Sequence, residues 1–274
     1  MATASFSVLT FNILGAWDQR EGAGWDRRRD PVVRTIRLAD ADLIGVQEGT
    51  REQLEDLDAG LLDLRRAPVH DPVVPAVPPD EDPLNAIYYR PDRFRFEKGG
   101  VFWLGEDPTR PAQDWDAAFP RCAAWARLVD VRGGAPLVFI STHLDNWSQQ
   151  ARMEGVSLIL NFLRQNDGEA DGPVPAIVVG DFNSDASLEV HRRFLEGPPA
   201  FRDAWEVTHG GPGAPYGDGT FHDFTGKPLP QVGRIDWVLH TGPLDPRTVR
   251  IIEASFDGAY PSDHFPVHSS FTRL

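Results

Sequence analysis

The sequence predicts a mixed α/β fold with more than one β-sheet. Strand-like runs dominate: nine short stretches rich in β-branched or aromatic residues stand between Gly, Pro, Asp and Asn. Helical spacing is confined to four stretches that lie between some of those strands. Hydrophobic residues make up 41% and charged residues 25% of the 274 residues, an ordinary globular composition. No internal repeat and no clean linker divides the chain, so a single domain over residues 1–274 is expected.

The first strand is expected at 6–11. Asp30-Pro31 then reads as an N-cap followed by proline at the first helical position, with Val32, Val33, Ile36 and Ala39 on one face. A strand at 43–46 leads to Thr50-Arg51-Glu52-Gln53, a capping box that opens a second helix through Leu54 and Leu57. Residues 67–83 are proline-rich and acidic and read as a long surface loop. Strands follow at 86–89, 124–129 and 137–141. Ser148 caps a third helix whose buried stripe is Met153, Val156, Ile159, Leu160 and Leu163. A strand at 176–179 precedes a weaker helix at 187–194 and a Gly- and Pro-rich loop at 209–230. Strands at 234–239, 249–255 and 265–271 complete the chain.

Charge and cysteine content narrow the function. The formal net charge is −14, a surface that repels long polyanions unless the site holds a local positive region or metal ions. The single cysteine, Cys122, excludes an internal disulfide and fits a reducing compartment and a buried apolar role. The first residues carry no basic segment and lead directly into a strand, and charges interrupt every apolar run. A cytoplasmic protein without a membrane span or an obligate protein partner is therefore expected.

The central stretch is Ile177-Val178-Val179-Gly180-Asp181-Phe182-Asn183-Ser184, a buried strand ending in Asp-Phe-Asn. Asp181 and Asn183 project to one side of an extended chain, with Phe182 turned to the core. Taken alone it reads first as a strand followed by an Asx turn. Other strand ends are polar too: Asn12, Gln47-Glu48-Gly49, Thr142-His143-Leu144-Asp145-Asn146 and Pro261-Ser262-Asp263-His264. Each has an ordinary reading as a turn, a cap or a satisfied core histidine. Asp236, set between Ile235 and Trp237, is harder to dismiss, because an acid in an apolar strand needs a partner. Arg234 has poor geometry for that, and a histidine or a metal ion suits it better. Carboxylates and carboxamides are hard oxygen ligands suited to Mg²⁺ or Mn²⁺, and the histidines can hold a phosphoryl oxygen or donate a proton.

Thr10-Phe11-Asn12, Gly45-Val46-Gln47-Glu48, Ser141-Thr142-His143-Leu144, Gly180-Asp181-Phe182-Asn183, Arg234-Ile235-Asp236-Trp237 and Ser262-Asp263-His264 resemble, in order, the motifs of the endonuclease/exonuclease/phosphatase superfamily of metal-dependent phosphoesterases. The resemblance implies a four-layer sandwich: two packed mixed β-sheets flanked by helices, with a site at one rim. It implies metal ligation by Glu48, with Asn12 and Asp263 beside it, and a water oriented or deprotonated by Asp181. It gives Asn183 the nucleophile or a phosphate oxygen, and His264, polarised by Asp236, the scissile phosphate, with His143 near the same phosphate. Phe102-Trp103-Leu104, Trp115-Asp116-Ala117, Pro120-Arg121-Cys122-Ala123-Ala124-Trp125-Ala126 and Gly219-Thr220-Phe221-His222-Asp223-Phe224 resemble a bacterial branch of that superfamily. Arg121, His222 and Asp145 are the expected substrate or phosphate contacts. Two departures stand out: Leu14 replaces an aspartate of the DNA-repair members, and Pro83 and Leu84 stand where branch members carry a glutamate, the nearest acids being Glu81 and Asp82.

The expected function is a Mg²⁺- or Mn²⁺-dependent hydrolase of phosphate esters, foremost a phosphodiesterase acting by in-line attack of water. Alternatives are a nuclease on DNA or RNA, a phosphoinositide or phospholipid-headgroup phosphatase, and a non-catalytic binding module of the same fold. A small ester or nucleotide is favoured over long duplex DNA. The basis is charge: 27 Lys+Arg against 41 Asp+Glu, with acidic loops at Asp80-Glu81-Asp82 and Glu106-Asp107. Arg27-Arg28-Arg29 is expected to line the mouth of the site, and Arg65-Arg66 is a second basic pair.

Overall fold

A computed structural model describes residues 5–18, 20–69, 85–166, 174–211 and 218–274. The expected acidic loop at 80–82, the acids Glu81 and Asp82, and most of the loop at 67–83 lie outside them. The chain runs β1 (Ser5–Asn12), α1 (Trp25–Ala39), β2 (Leu43–Gln47), α2 (Arg51–Gly60), β3 (Arg65–Arg66), β4 (Asn85–Tyr89), β5 (Phe94–Trp103), β6 (Cys122–Asp130) and β7 (Pro136–His143). It continues α3 (Gln149–Asn166), β8 (Ala176–Asp181), α4 (Glu189–Glu196), β9 (Arg202–Asp203), α5 (Ala204–His209), β10 (Asp236–His240), β11 (Leu244–Ile251) and β12 (Val267–Arg273).

Two six-stranded mixed sheets result, in the orders β11-β12-β1-β2-β4-β3 and β5-β6-β7-β8-β10-β9. Alternation along the strands assigns each side chain to a layer. Phe6, Val8, Leu43, Phe139, Ile177, Val179, Val238 and Phe271 meet between the sheets. Val138, Ile140, Val178 and Trp237 face the helices α3 and α4, where Val156, Ile159, Leu160 and Phe194 receive them. Leu9, Phe11, Ile44 and Val46 face α1 and α2 in the same way. Helix, sheet, sheet and helix are thus four layers, the sandwich expected from the motifs. Gly45 permits close approach of the sheets: a Cβ there would stand 2.4 Å from Val179 Cγ2 and 3.0 Å from Ser141 Oγ. A polar chain clips the sheets together nearby, with Thr10 Oγ1 donating to Gln47 Oε1 at 3.2 Å and Gln47 Nε2 donating to Ser141 Oγ at 3.0 Å.

Several local expectations are corrected. Helix α1 starts six residues before the expected proline start, and Pro31 lies inside it. Tertiary contacts override the local signal. Trp25 is buried and donates through Nε1 to Asp56 Oδ2 at 2.8 Å, and the buried Arg28 donates to Leu14 O at 2.9 Å and Pro261 O at 3.1 Å. Arg28 is therefore consumed by backbone carbonyls, and Arg29 faces Asp56 at 3.7 Å, so Arg27-Arg28-Arg29 does not form a basic mouth. Strand β5 was not expected, and β11 begins and ends several residues earlier than 249–255. The capping box at Thr50 and Gln53 and the Ser148 cap are present, the latter with Ala151 N donating to Ser148 Oγ at 3.1 Å. Cys122 is buried.

Candidate active site

Strand pairing alone brings the chemistry to one rim. In the parallel pair β7–β8, His143 stands beside Asp181, and in the antiparallel pair β8–β10, Asp236 stands opposite Asp181. In the other sheet Asn12 ends β1 beside Gln47, and Glu48 follows at once. Gly180 makes the first of these approaches possible, because a Cβ there would lie 2.0 Å from Thr142 O. Glu48 (φ 61) and Asn183 (φ 48) both adopt left-handed backbone just past their strands. Such conformations are costly for non-glycine residues and gather at functional sites.

The side chains converge on Asp181. Asn12 Nδ2 donates to Asp181 Oδ2 at 3.0 Å and to Glu48 Oε1 at 2.9 Å, while Leu14 N donates to Asn12 Oδ1 at 3.0 Å. Asn12 thus turns its amide nitrogen to the carboxylates and orients Glu48 and Asp181, while Leu14 N holds its oxygen, the atom expected to ligate the metal. Asp181 Oδ1 accepts from Asn183 N at 2.9 Å. The Asx turn and the site residue are the same feature. Phe182 points away, stacked on Trp237 with centroids 4.3 Å apart. His143 Nε2 lies 3.4 Å and His264 Nε2 3.6 Å from Asp181 Oδ2. Asn183 Nδ2 donates to Leu144 O at 3.0 Å and lies 2.9 Å from His143 Nε2. Ser262 Oγ donates to Asn12 O at 2.6 Å, tying the segment that carries Asp263 and His264 to the end of β1.

Asp236 finds its partner in His264, whose Nδ1 lies 2.9 Å from Asp236 Oδ2, while Arg234 pairs with Asp203 at 2.8 Å. Burial disfavours a charged His264, but Asp236 and Asp181 outweigh it and raise its pKa well above 6.5. Burial pushes the Asp181 carboxyl up to about 7; the His264 charge opposes that shift and Asp236 adds to it. Burial and the Arg121 charge hold His143 well below 6.5, hence neutral. Burial also raises Asp263, with Glu48 adding and His264 opposing.

Together these groups line a cleft of about 630 Å³. Glu48, His143, Asp181, Asn183, Asp263, His264 and Arg121 form its polar floor, and Trp17, Trp103, Pro111, Phe119, Pro120 and Phe221 its apolar walls. Arg121 precedes β6, with NH1 3.0 Å from His143 Nδ1 and NH2 donating to Asn146 Oδ1 at 3.1 Å. Arg20, absent from the sequence expectations, reaches Asp263 at 3.5 Å while pairing with Asp18 and Asp223.

Two expected substrate contacts, Asp145 and His222, are absent from the cleft lining. Asp145 is buried and spends both oxygens on backbone: Oδ1 accepts from Ser148 N at 2.7 Å and Oδ2 from Ala118 N at 2.9 Å. It clasps the loop before β6 to the start of α3. His222 is fully buried, its ring stacked 3.9 Å from that of Phe265, with burial lowering its pKa to about 4. His222 N donates to Asp263 O at 2.8 Å, so this residue supports the Asp263 segment from behind.

The carboxylates fit a divalent cation. Glu48 and Asp263 lie close enough for Glu48 to disfavour ionisation of Asp263, a repulsion that a hard cation relieves. Asp181, Asp236 and His264 also stand within ligand distance of one another, but there the charged imidazole already supplies the positive partner. In the trio His191, Asp203 and Glu206, Arg234 does so.

A four-layer α/β sandwich with an acid, amide and histidine cluster at one rim defines the phosphoesterase class of this architecture. The chain belongs to the Endonuclease/Exonuclease/phosphatase family, whose profile matches residues 9–264 and whose members hydrolyse phosphate esters. Among solved structures it is similar to an endonuclease/exonuclease/phosphatase family protein from Bacteroides thetaiotaomicron (24% identity, 99% of each chain, TM-score 0.84). It is also similar to a mannosyl-6-phosphatase of that organism (26% identity, 97% of this chain and 99% of that one, TM-score 0.82). Danio rerio TDP2 complexed with single-strand DNA product shares the fold (20% identity, 98% of this chain and 99% of that one, TM-score 0.72). No curated protein matches by sequence. Among the described residues no helix is long and apolar enough to cross a membrane.

Proposed function

We propose that this protein is a divalent-metal-dependent hydrolase of small phosphate esters, with residues 1–274 acting as one cytoplasmic domain. The observation that carries the reading is the placement of the Asp181 carboxylate, 3.6 Å from a His264 that Asp236 keeps charged, in one cleft with Glu48, Asp263, Asn183 and Arg121. Glu48 and Asp263 would hold Mg²⁺ or Mn²⁺, which would supply charge neutralisation for the phosphate and the leaving oxygen. Asp181, with its pKa near neutrality, orients the attacking water and accepts its proton. Asn12 fixes the Asp181 carboxylate. His264 and Arg121 donate to phosphate oxygens, and the hydrogen bond that His264 Nδ1 donates to Asp236 holds the ring in that orientation. Asn183 positions water or a phosphate oxygen, and the neutral His143 stands between Arg121 and Asn183, accepting from one of them through its single unprotonated nitrogen.

The cleft suits one ester group and its substituent rather than an extended polyanion, with Arg121 in its lining and Arg20 reaching Asp263 beside it. The similarity to the mannosyl-6-phosphatase favours a second, narrower reading as a phosphomonoesterase. A phosphate-release screen over mono- and diesters, nucleotides, inositol phosphates, oligonucleotides and plasmid tests both readings. It is run with Mg²⁺, with Mn²⁺ and with excess chelator. Small-ester turnover that chelation abolishes is expected. Full activity in chelator removes the metal, and plasmid nicking that slows steeply with salt while small esters are ignored removes the substrate class.

A further inference from the structure

Asn85 is the first residue of β4 and lines the cleft beside the phosphate-binding and metal-binding groups without belonging to either set. Its Nδ2 donates to Cys122 O at 2.8 Å, which fixes the orientation of the amide. Its Oδ1 is therefore the atom left over. That oxygen is buried and without a hydrogen-bond partner, and the residue is 4% exposed. Orphaned buried acceptors are rare and call for a donor. A phosphate oxygen cannot supply one, because near neutral pH it is itself an acceptor. A water or a hydroxyl on the organic part of the substrate can supply it, and the walls of the cleft favour the hydroxyl.

The surroundings describe that part. Trp103, which pairs with Cys122 across β5 and β6, and Phe119, Pro111 and Pro120 form an apolar wall next to Arg121. Phe119 is 57% exposed, with the Arg121 guanidinium carbon 5.5 Å from its ring centroid. Trp17, 53% exposed, stands on the same cleft. Aromatic faces and an unpaired acceptor beside a phosphate-binding arginine match a ring with an apolar C–H face and a hydroxyl edge.

We propose that this wall is a leaving-group subsite for a compact, hydroxylated ring, with Asn85 Oδ1 accepting from a ring hydroxyl and Phe119 and Trp103 packing on the ring face. The proposal rests on the phosphoesterase reading and deepens it. The ring is either a monosaccharide bearing its phosphate or the ribose of a nucleotide.

The test compares a hexose 6-phosphate, a ribonucleoside 5′-monophosphate and cyclohexylmethyl phosphate on the wild-type protein with Mg²⁺. At least one hydroxylated ester is expected to exceed the cyclohexyl ester by about tenfold in kcat/KM, the scale of one neutral hydrogen bond. Which one does so identifies the source of the ring. Asn85→Ala brings that ratio to near unity, and Phe119→Ala raises KM for all three esters. Cys122 O keeps a donor in Asn85→Ala, since Thr142 Oγ1 lies 3.2 Å away, and the wild-type comparison needs no variant. Equal kcat/KM for hydroxylated and cyclohexyl esters overturns the subsite. If no ester turns over, the phosphomonoesterase reading fails by itself, and calorimetric binding of the same three esters still reads the subsite. Equal affinities there overturn it.

Discussion

Asp181 makes contacts of two kinds, and a single substitution separates them. Asp181→Asn keeps the shape of the turn to Asn183 but removes the proton acceptor. Turnover is expected to fall ~10²–10⁴-fold with little change in KM, measured by steady-state phosphate release. Near wild-type turnover would reduce Asp181 to a turn residue. Glu48→Gln tests the metal instead. It should weaken Mn²⁺ binding in a calorimetric titration and raise the metal concentration needed for half-maximal rate. Unchanged binding would move the metal away from Glu48. Most of this site was legible in the sequence because its residues follow strand ends, and strand ends at one rim of a sandwich meet. What the sequence could not show was direction. Asp145 and His222 sit in the right segments but turn into backbone and core, a matter of which hydrogen bonds close first. Nothing in the sequence around Asn85 marks it as a contact, and only the fixed amide reveals its free oxygen.

At the scale of elements, the strands whose hydrophobic residues face buried layers on both sides were the readable ones. The run at 94–103 was missed because Glu97, Lys98, Gly99 and Gly100 interrupt its alternation, and a register shift between Phe96 and Lys98 breaks its period. The start of α1 was missed because Asp30-Pro31 is a strong local signal, whereas the bonds of Trp25 and Arg28 to distant residues are invisible in sequence. The β7–β8 junction shows how little freedom the site elements have. Gly180→Ala places a methyl against the Thr142 carbonyl, rigid backbone that cannot turn aside. A loss of ~1–3 kcal/mol or more is expected from urea unfolding, with activity falling as His143 and Asp181 are forced apart. Gln53 is the corresponding tie on the other sheet. Its Oε1 accepts from Thr50 N at 3.0 Å and Ala16 N at 3.0 Å, and its Nε2 donates to Leu14 O at 2.9 Å. Gln53→Leu should cost ~1–3 kcal/mol by leaving buried backbone groups unpaired. An unfolding midpoint equal to wild type would show that water replaces these bonds.

The whole molecule carries an acid liability that follows from where its histidines lie. Burial lowers His222, His240 and His268 to about 4 from 6.5, so the fold keeps all three neutral. As pH falls below 6.5 the unfolded chain takes up protons that the native chain refuses. The share of stability from these three groups is therefore lost between 6.5 and about 4, at up to ~1.4 kcal/mol per pH unit for each, while the raised Asp181 and Asp263 carboxyls work in the opposite direction. His264 has the opposite sign. Its raised pKa gives stability that is fully present below 6.5 and fades as pH rises through the folded value. His240 isolates the first effect because it lies outside the cleft lining. It packs between the sheets with its ring centroid 5.4 Å from that of Phe271, and neither ring nitrogen has a hydrogen-bond partner. Arg202 adds to the burial in opposing its charge, while Asp203 and Asp245 favour it too weakly to prevail. His240→Leu removes a buried group that is both unpaired and titratable. The variant is expected to be at least as stable as wild type at pH 7, and its advantage should widen steadily from pH 6.5 to 4.5 in urea unfolding. A constant offset across that range would mean that packing alone, and not protonation, separates the two proteins.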